Sequence, residues 1–232
     1  MLDNKKKYKV GIIIPSYNER NTLHLVVQKL KIECLIIIVN DCSNDGTFNQ
    51  MIIKRLIKKK KIKVINNKIR LGYDGSLQNG FLEAVKKKCE IIITIDADNQ
   101  FDLSKIRKFI KIIQNKNIDL ICTERKNISR LSEIVACKLF NLIWTLRDPF
   151  SGLKLYKITK QNKKKFLKYS NIRLYGLQYL IYFVLYKKKI VHYKIKIKKR
   201  IGNSKIGSSN FMVNLKMIMQ QIRFLYFILK KN

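Results

Sequence analysis

EIIITIDADNQFD, residues 90–102, decides how the rest of the chain is read. Five of its first six residues, Ile91 to Ile95, are apolar or β-branched, a density that predicts a strand buried on both faces, as in the middle of a parallel sheet. Polarity then changes abruptly at Asp96. Asp96 and Asp98 point to opposite sides if the strand continues, and converge on one ion if the chain turns there. Taken alone, the pair reads either as a metal site or as an acidic turn.

Working outward, strands alternate with helices. The spacing predicts strands over Tyr8–Pro15, Leu35–Asp41, Lys63–Asn67, Glu90–Ile95 and Ile118–Thr123. Helices are predicted between them over Asn18–Lys31, Asp45–Lys60 (capped by Ser43 or Asn44), Gly75–Lys88 and Ser104–Asn115. Strand–helix alternation of this kind implies βαβ units, hence an α/β fold with a mostly parallel sheet and helices on both faces. Such sheets bind ligands at the carboxyl ends of their strands. The polar clusters Ser16–Glu19, Asp41–Asp45, Asp96–Gln100 and Glu124–Arg125 all fall there. Beyond Arg125 the pattern loosens into a helix over Ser129–Thr145, a strand over Gly152–Lys157, an apolar helix over Leu174–Lys187 and a half-wet strand over Val191–Lys199. An amphipathic helix follows over Ser208–Lys230.

Composition narrows the possibilities. The 232 residues, 47% of them hydrophobic, suffice for one large core. Lysine and arginine number 50 against 15 aspartates and glutamates, with basic runs at 5–7, 58–61, 86–88, 163–165, 187–189 and 194–200. Their spread through the chain, with Lys, Ile and Asn at every uncommitted position, reads mostly as coding bias, yet such a surface is still drawn to anionic lipid. Nucleic acid is disfavoured as a partner: the basic runs lack interleaved aromatics, and acidic clusters occupy the strand ends. The five cysteines are scattered without a C-x-x-C pair, which fits a reducing compartment and no zinc site. No signal peptide is recognisable, and no apolar stretch approaches the roughly 20 residues of a membrane span.

Six motifs stand in order: IPSYNE (14–19), VNDCSNDGT (39–47), RLGYDGSLQNGF (70–81), DADNQ (96–100), DPFSGLKLYK (148–157) and RIGNSK (200–205). Together they resemble the family 2 glycosyltransferases, GT-A folds with a Rossmann-like sheet, and within them the dolichyl- or polyprenyl-phosphate sugar synthases. The resemblance covers roughly residues 8–207. It implies a catalytic domain over 1–207, with a nucleotide half at about 8–125 and an acceptor half at about 126–207, followed by the amphipathic helix over 208–232.

By this resemblance, Pro15, Tyr17, Glu19, Val39 and Asp41 read the base and ribose of a UDP- or GDP-linked sugar. Glu19 has a competing reading as a first-turn helix acid, and Asp45 as a turn residue beside Gly46. The loop carrying Arg70, Gly72, Gly75 and Ser76 approaches the donor, or is an ordinary glycine turn. Asn40 stands where the family usually carries a second acid. Asp96, Asp98 and Gln100 are implied in holding Mg²⁺ or Mn²⁺, hard ions that accept one or two carboxylates together with phosphate oxygens and water. Asp96 is placed against the ribose or the outer shell of the metal.

A sugar-hydroxyl acceptor needs a general base, whereas a lipid phosphate is already an anion near neutral pH. The chain lacks the family's E-D base motif and the Q-x-x-R-W motif of processive synthases. It has instead Arg125, Arg130, Ser151, Arg200, Ser204 and Lys205 as candidates for holding an acceptor phosphate; for the arginines the rival reading is the general basic excess. Asp148 of the D-x-x-S-G pattern either positions the reacting sugar or acts as a base, or marks a turn with Pro149. The expectation is an inverting transferase acting on a polyprenyl phosphate, peripheral on the inner face of the membrane, with a membrane protein as a possible partner. A glycan acceptor in envelope polysaccharide synthesis is the alternative. His24 and His192 read as structural.

Overall fold

Isoleucines on neighbouring strands alternate sides, and that alternation builds the protein from the inside. The computed structural model describes residues 9–59, 61–115, 117–126, 128, 130–198 and 211–230. Strands β1 (Val10–Ser16), β2 (Leu35–Asn40), β3 (Ile62–Asn66) and β4 (Ile91–Thr94) run parallel, with Ile12 opposite Ile36 and Ile93. Ile13, Ile37 and Ile92 face one side of the sheet, Ile12, Ile36, Ile38 and Ile93 the other, and all are essentially solvent-free. Because successive side chains of a strand point to opposite faces, this stretch can only be a sheet covered twice.

Helices α1 (Leu23–Lys29), α2 (Met51–Lys59) and α4 (Ile106–Asn115) lie in sequence between the parallel strands, and the core that holds Leu23, Ile53 and Phe109 lies on one face. The opposite face is covered by α3 (Gly72–Lys86), α5 (Leu131–Trp144), α6 (Lys163–Leu167), α7 (Gln178–Leu185) and α8 (Phe211–Leu229), whose Phe81, Phe140, Phe166, Phe183 and Phe224 fill a second core. Edge-to-face contacts of Phe81 with Tyr156 and Phe166, at 5.3 and 5.2 Å, run through its middle.

The remaining strands are β5 (Leu120–Arg125), β6 (Lys154–Lys157) and β7 (Ile190–Ile195), giving a sheet of order β3-β2-β1-β4-β6-β5-β7. Among the described strands only β6 runs antiparallel, inserted between β4 and β5. The fold is therefore the expected α/β arrangement of a mostly parallel sheet between helical layers.

Several boundaries differ from expectation for local reasons. The first helix begins at Leu23, because Asn18 takes a left-handed conformation (φ 54°) and Glu19–Thr22 forms turns. The helix expected over Asp45–Lys60 is split into a 3-10 turn at Thr47–Asn49 and α2, with Gly46 left-handed at φ 77°. Asp45 itself accepts from the Thr47 and Arg20 N–H groups, as the turn reading of that residue required. The third helix starts three residues early, at Gly72. The short α6, built from KKKFL, went unread among the lysine runs. Arg200, Ser204 and Lys205 lie outside the described residues.

Candidate active site

Parallel β1, β2, β3 and β4 deliver Ser16, Asn40, Asn66 and Thr94 to one edge of the sheet, and the loops that leave that edge are stitched to one another. The Asn18 N–H donates to Ser43 Oγ at 3.0 Å, and the Asn44 N–H donates back to Asn18 Oδ1 at 2.9 Å. Pro15 pairs with Val39 across β1 and β2. Val39 is fully buried, so its side chain belongs to the core. Tyr17 carries the Arg70 guanidinium 4.0 Å above its ring centre, which joins the first motif to the third. The Thr22 hydroxyl donates to Glu19. Asn40 accepts from the Ser43 N–H at 2.9 Å and donates to Asn66 at 3.0 Å; only the second bond needs an amide rather than the family's usual acid.

Asp41 is buried and already engaged. Its carboxylate accepts from the backbone N–H groups of Leu71 and Gly72, at 2.8 and 2.9 Å, and from the Asn67 amide at 2.8 Å. It thus supplies the acceptor that the exposed N–H groups at the start of α3 require, with favourable charge at the positive end of the helix. The loop bearing Arg70 and Gly72, where Gly72 has φ 71°, is held in place by this one residue.

The chain does turn after β4. Strand pairing ends at Thr94, a turn follows at Ala97–Asp98, and Asn99 is left-handed at φ 61°. Asp98 is buried and accepts from the Gln100 N–H at 3.1 Å. The Gln100 amide nitrogen donates to the Lys198 carbonyl, and the Lys29 ammonium bonds Asn99. Asp96 is half-buried and lies 3.4 Å from the Tyr73 hydroxyl, whose pKa burial and then Asp96 push upward. Behind Asp96 stands Gly152: a Cβ built there would fall 2.0 Å from Asp96 Oδ2. Among the described residues no group of three or more His, Cys, Asp or Glu side chains could hold a metal. Two carboxylates at a strand end nevertheless fit Mg²⁺ or Mn²⁺, since these ions take most of their oxygens from substrate phosphates and water.

On the far side of β6 the predicted acceptor residues meet a different environment. Asp148 has no exposed surface. Its Oδ2 and Oδ1 receive the Arg125 Nε and Nη2 at 2.8 and 2.9 Å, a bidentate fork, and Oδ2 also accepts from the Arg125 backbone N–H at 3.0 Å. Arg125 Nη2 reaches Glu133 Oε2 at 2.7 Å, and the other oxygen of Glu133 takes Arg130 Nη1 at 2.7 Å. Burial opposes the charge on Arg125, but Asp148 and Glu133 outweigh it and raise its pKa above the ordinary value. Ser151 is buried, its hydroxyl 2.6 Å from that of Thr123. Beside it Lys154, almost wholly buried, donates to the Ser151 carbonyl; burial lowers its pKa, partly countered by Asp148 and Asp96.

Four residues that shape the site were not singled out in the sequence. Glu133 and Lys154 were masked by their settings in a helical pattern and an alternating strand. Asp74 accepts from the Tyr175 and Gly176 N–H groups at 2.9 and 2.7 Å and from Gln178 at 3.0 Å, tying α3 to the entry of α7. Asn67 bridges Asp41 and Asn79. Asp74 and Asn67 act on partners distant in sequence, so no local spacing marks them.

The sequence model described as Glycosyl transferase family 2 matches residues 11–175. The chain is 28% identical over 162 residues to a dolichol-phosphate mannosyltransferase of Pyrococcus furiosus, covering 62% of this chain and 45% of that protein. It is 27% identical over 134 residues to an undecaprenyl-phosphate 4-deoxy-4-formamido-L-arabinose transferase of Pectobacterium atrosepticum, covering 55% and 39%. The chain thus spans about half, or less, of the length of these two relatives. Among solved structures, glucosyl-3-phosphoglycerate synthase of Mycobacterium tuberculosis, in a complex with Mn²⁺, UDP and glucosyl-3-phosphoglycerate, superposes with TM-score 0.68 at 16% identity over 97% of this chain and 81% of that one. With the family sequence model matching well over half its length, this chain belongs to glycosyl transferase family 2.

Proposed function

We propose that the protein moves a sugar from a UDP- or GDP-linked donor to a polyprenyl phosphate, with inversion at the anomeric carbon and with help from Mg²⁺ or Mn²⁺. The observation that carries this reading is the placing of two sets of charge on either side of Gly152: the carboxylates of Asp96 and Asp98 at the end of β4, and the guanidinium of Arg125 at the end of β5. The names of the relatives point to lipid phosphates as acceptors, and the structural neighbours were crystallised with UDP and Mn²⁺ or Mg²⁺.

On this reading the nucleotide lies over Tyr17, Arg70 and the loop anchored by Asp41. Asp98 and Asp96, with Gln100, would hold the ion, which when bound neutralises the departing diphosphate. Arg125 offers the acceptor phosphate a guanidinium that Asp148 and Glu133 hold in place through its Nε and Nη2. A phosphate oxygen attacks in a single displacement and needs no base. Asp148, sealed beneath Arg125, fits the work of orienting that arginine better than that of taking a proton from a glycan hydroxyl.

The acceptor is a membrane lipid, and α5 and α8 offer a face for the bilayer surface. The two helices pack together, and most exposed large apolar side chains lie on them, among them Leu131, Val135 and Leu142 of α5 and Met219, Ile222 and Leu229 of α8. Exposed Lys138, Lys216, Arg223 and Lys230 lie on or just beyond the same helices, and α8 carries no acid. No described helix is long and apolar enough to cross a membrane. A helix pair of this kind suits the headgroup layer, with its cations on anionic lipid, and supports a location at the inner face of the membrane.

The reading is tested by screening UDP- and GDP-sugars with undecaprenyl phosphate and Mg²⁺ or Mn²⁺, on wild type and Asp98→Asn. Wild type should form an organic-soluble sugar lipid, and the variant should lose about 10²-fold or more in rate, the scale of one lost electrostatic stabiliser. An equally active variant would remove Asp98 from the metal site.

A further inference from the structure

We infer that Glu133 is a positioning residue that sets the spacing of two arginines for one phosphate; the inference rests on the reading that Arg125 and Arg130 receive an anionic acceptor. Glu133 is the buried acid in the first turn of α5, 4% exposed, while Arg125 and Arg130 remain 19% and 16% exposed on either side of it. Each carboxylate oxygen takes one guanidinium at 2.7 Å. A single, more deeply buried carboxylate therefore dictates the distance between the two partly exposed cations. A residue that merely stabilised the helix N-terminus would need neither bond.

The platform under Glu133 is fixed. Its neighbour Ser132 donates through its hydroxyl to Asn214 of α8 at 2.6 Å, and Gln221 of α8 donates to the Ser132 carbonyl at 3.3 Å. Arg125 is anchored independently by the Asp148 fork. The four side chains, two acids and two arginines, sum to no net charge. An incoming phosphate is thus held by where the N–H groups point more than by bulk attraction, since charge-assisted bonds are strong only when short and aligned. The same links place the pair next to α8, so the spacing of the arginines is tied to the helix that the bilayer reading puts at the lipid surface.

Length as well as charge matters in this arrangement. Glu133→Asp keeps the charge but is one methylene too short to reach both guanidiniums; Glu133→Gln keeps the length but has one oxygen in place of two. Both are conservative enough to be compared with wild type after their thermal unfolding and circular dichroism are matched. The measurement is the partition of full-length protein between vesicles of fixed anionic lipid content doped with undecaprenyl phosphate and the same vesicles doped with undecaprenol. The ratio of the two affinities isolates the phosphate.

Wild type should prefer the phosphate vesicles, and both variants should lose about tenfold of that preference, the scale of one charge-assisted hydrogen bond to a charged partner. In a background carrying both Arg125→Lys and Arg130→Lys the Glu133 substitutions should add little, because they act through those two residues. If wild type showed no preference, the phosphate reading itself would fall, and this inference with it. If wild type showed the preference and Arg125→Lys or Arg130→Lys abolished it, while Glu133→Asp and Glu133→Gln kept it, only the role of Glu133 would be overturned. Recovery by Glu133→Asp alone would mean that charge suffices and spacing does not matter, which also overturns it.

Discussion

Gly152 shows how much of the site rests on a missing atom. A methyl at that position would have to occupy space 2.0 Å from one oxygen of Asp96 and 2.3 Å from its Cγ, so the carboxylate or the start of β6 must move. Gly152→Ala should therefore cut sugar transfer by about 10²-fold, as misplacements near 1 Å do. Gly80→Ala, whose new methyl would meet Ile13 Cγ2 at 2.3 Å in the core, should instead cost about 1–3 kcal/mol of stability. Transfer rates and thermal midpoints of the two variants, measured side by side, check this: equal losses of activity per degree of melting would show that Gly152 is a packing residue only. In the sequence Gly152 reads as the start of the strand predicted over Gly152–Lys157. Its contact with Asp96 was hidden because the two residues belong to different motifs that meet only after β6 enters the sheet.

Helix α3 shows the same at the level of an element. Its glycines favoured a start at Gly75, but Asp41 at the end of β2 captures the N–H groups of Leu71 and Gly72 and pulls the first turn forward. Propensity is a weak prior where a buried carboxylate supplies the missing acceptors. Asp41→Ala should cost about 2 kcal/mol and raise amide exchange at Leu71 and Gly72 selectively, with α7 still protected through Asp74. Exchange that rises uniformly across the sheet would contradict a local anchor. Strand identities were readable throughout, since isoleucine runs bounded by polar clusters leave few other options, whereas α6 vanished into a lysine run and α1 was shortened by the left-handed Asn18. The fold class and the cluster at the strand ends were thus legible; the partners of Arg125 were not, because Glu133 looked like any helix acid and Asp148 read as a sugar-positioning acid, a base or a turn residue rather than as an anchor for Arg125.

For the molecule as a whole, charge and shape divide the work. Basic residues are spread over the surface, but large apolar side chains are exposed chiefly where α5 meets α8. Replacing Leu142 and Ile222 with glutamate should leave the fold intact, both side chains being exposed, and reduce flotation with anionic vesicles by about tenfold or more, since two buried apolar contacts of some 1.5 kcal/mol each are exchanged for repelled charges. Unchanged flotation would mean that the surface lysines bind unaided. The order of the sheet has an effect on how the chain is made. Strand β5 is separated from β4 by β6, so five strands in, the growing polypeptide has nowhere to put β5, and β4 has a bare edge until residues 154–157 arrive. As chains emerge from the ribosome N-terminus first, the first four strands must wait, half-finished and with an exposed strand edge, for a segment encoded well downstream. A break in translation before β6 would release a fragment inclined to aggregate, not a smaller folded protein.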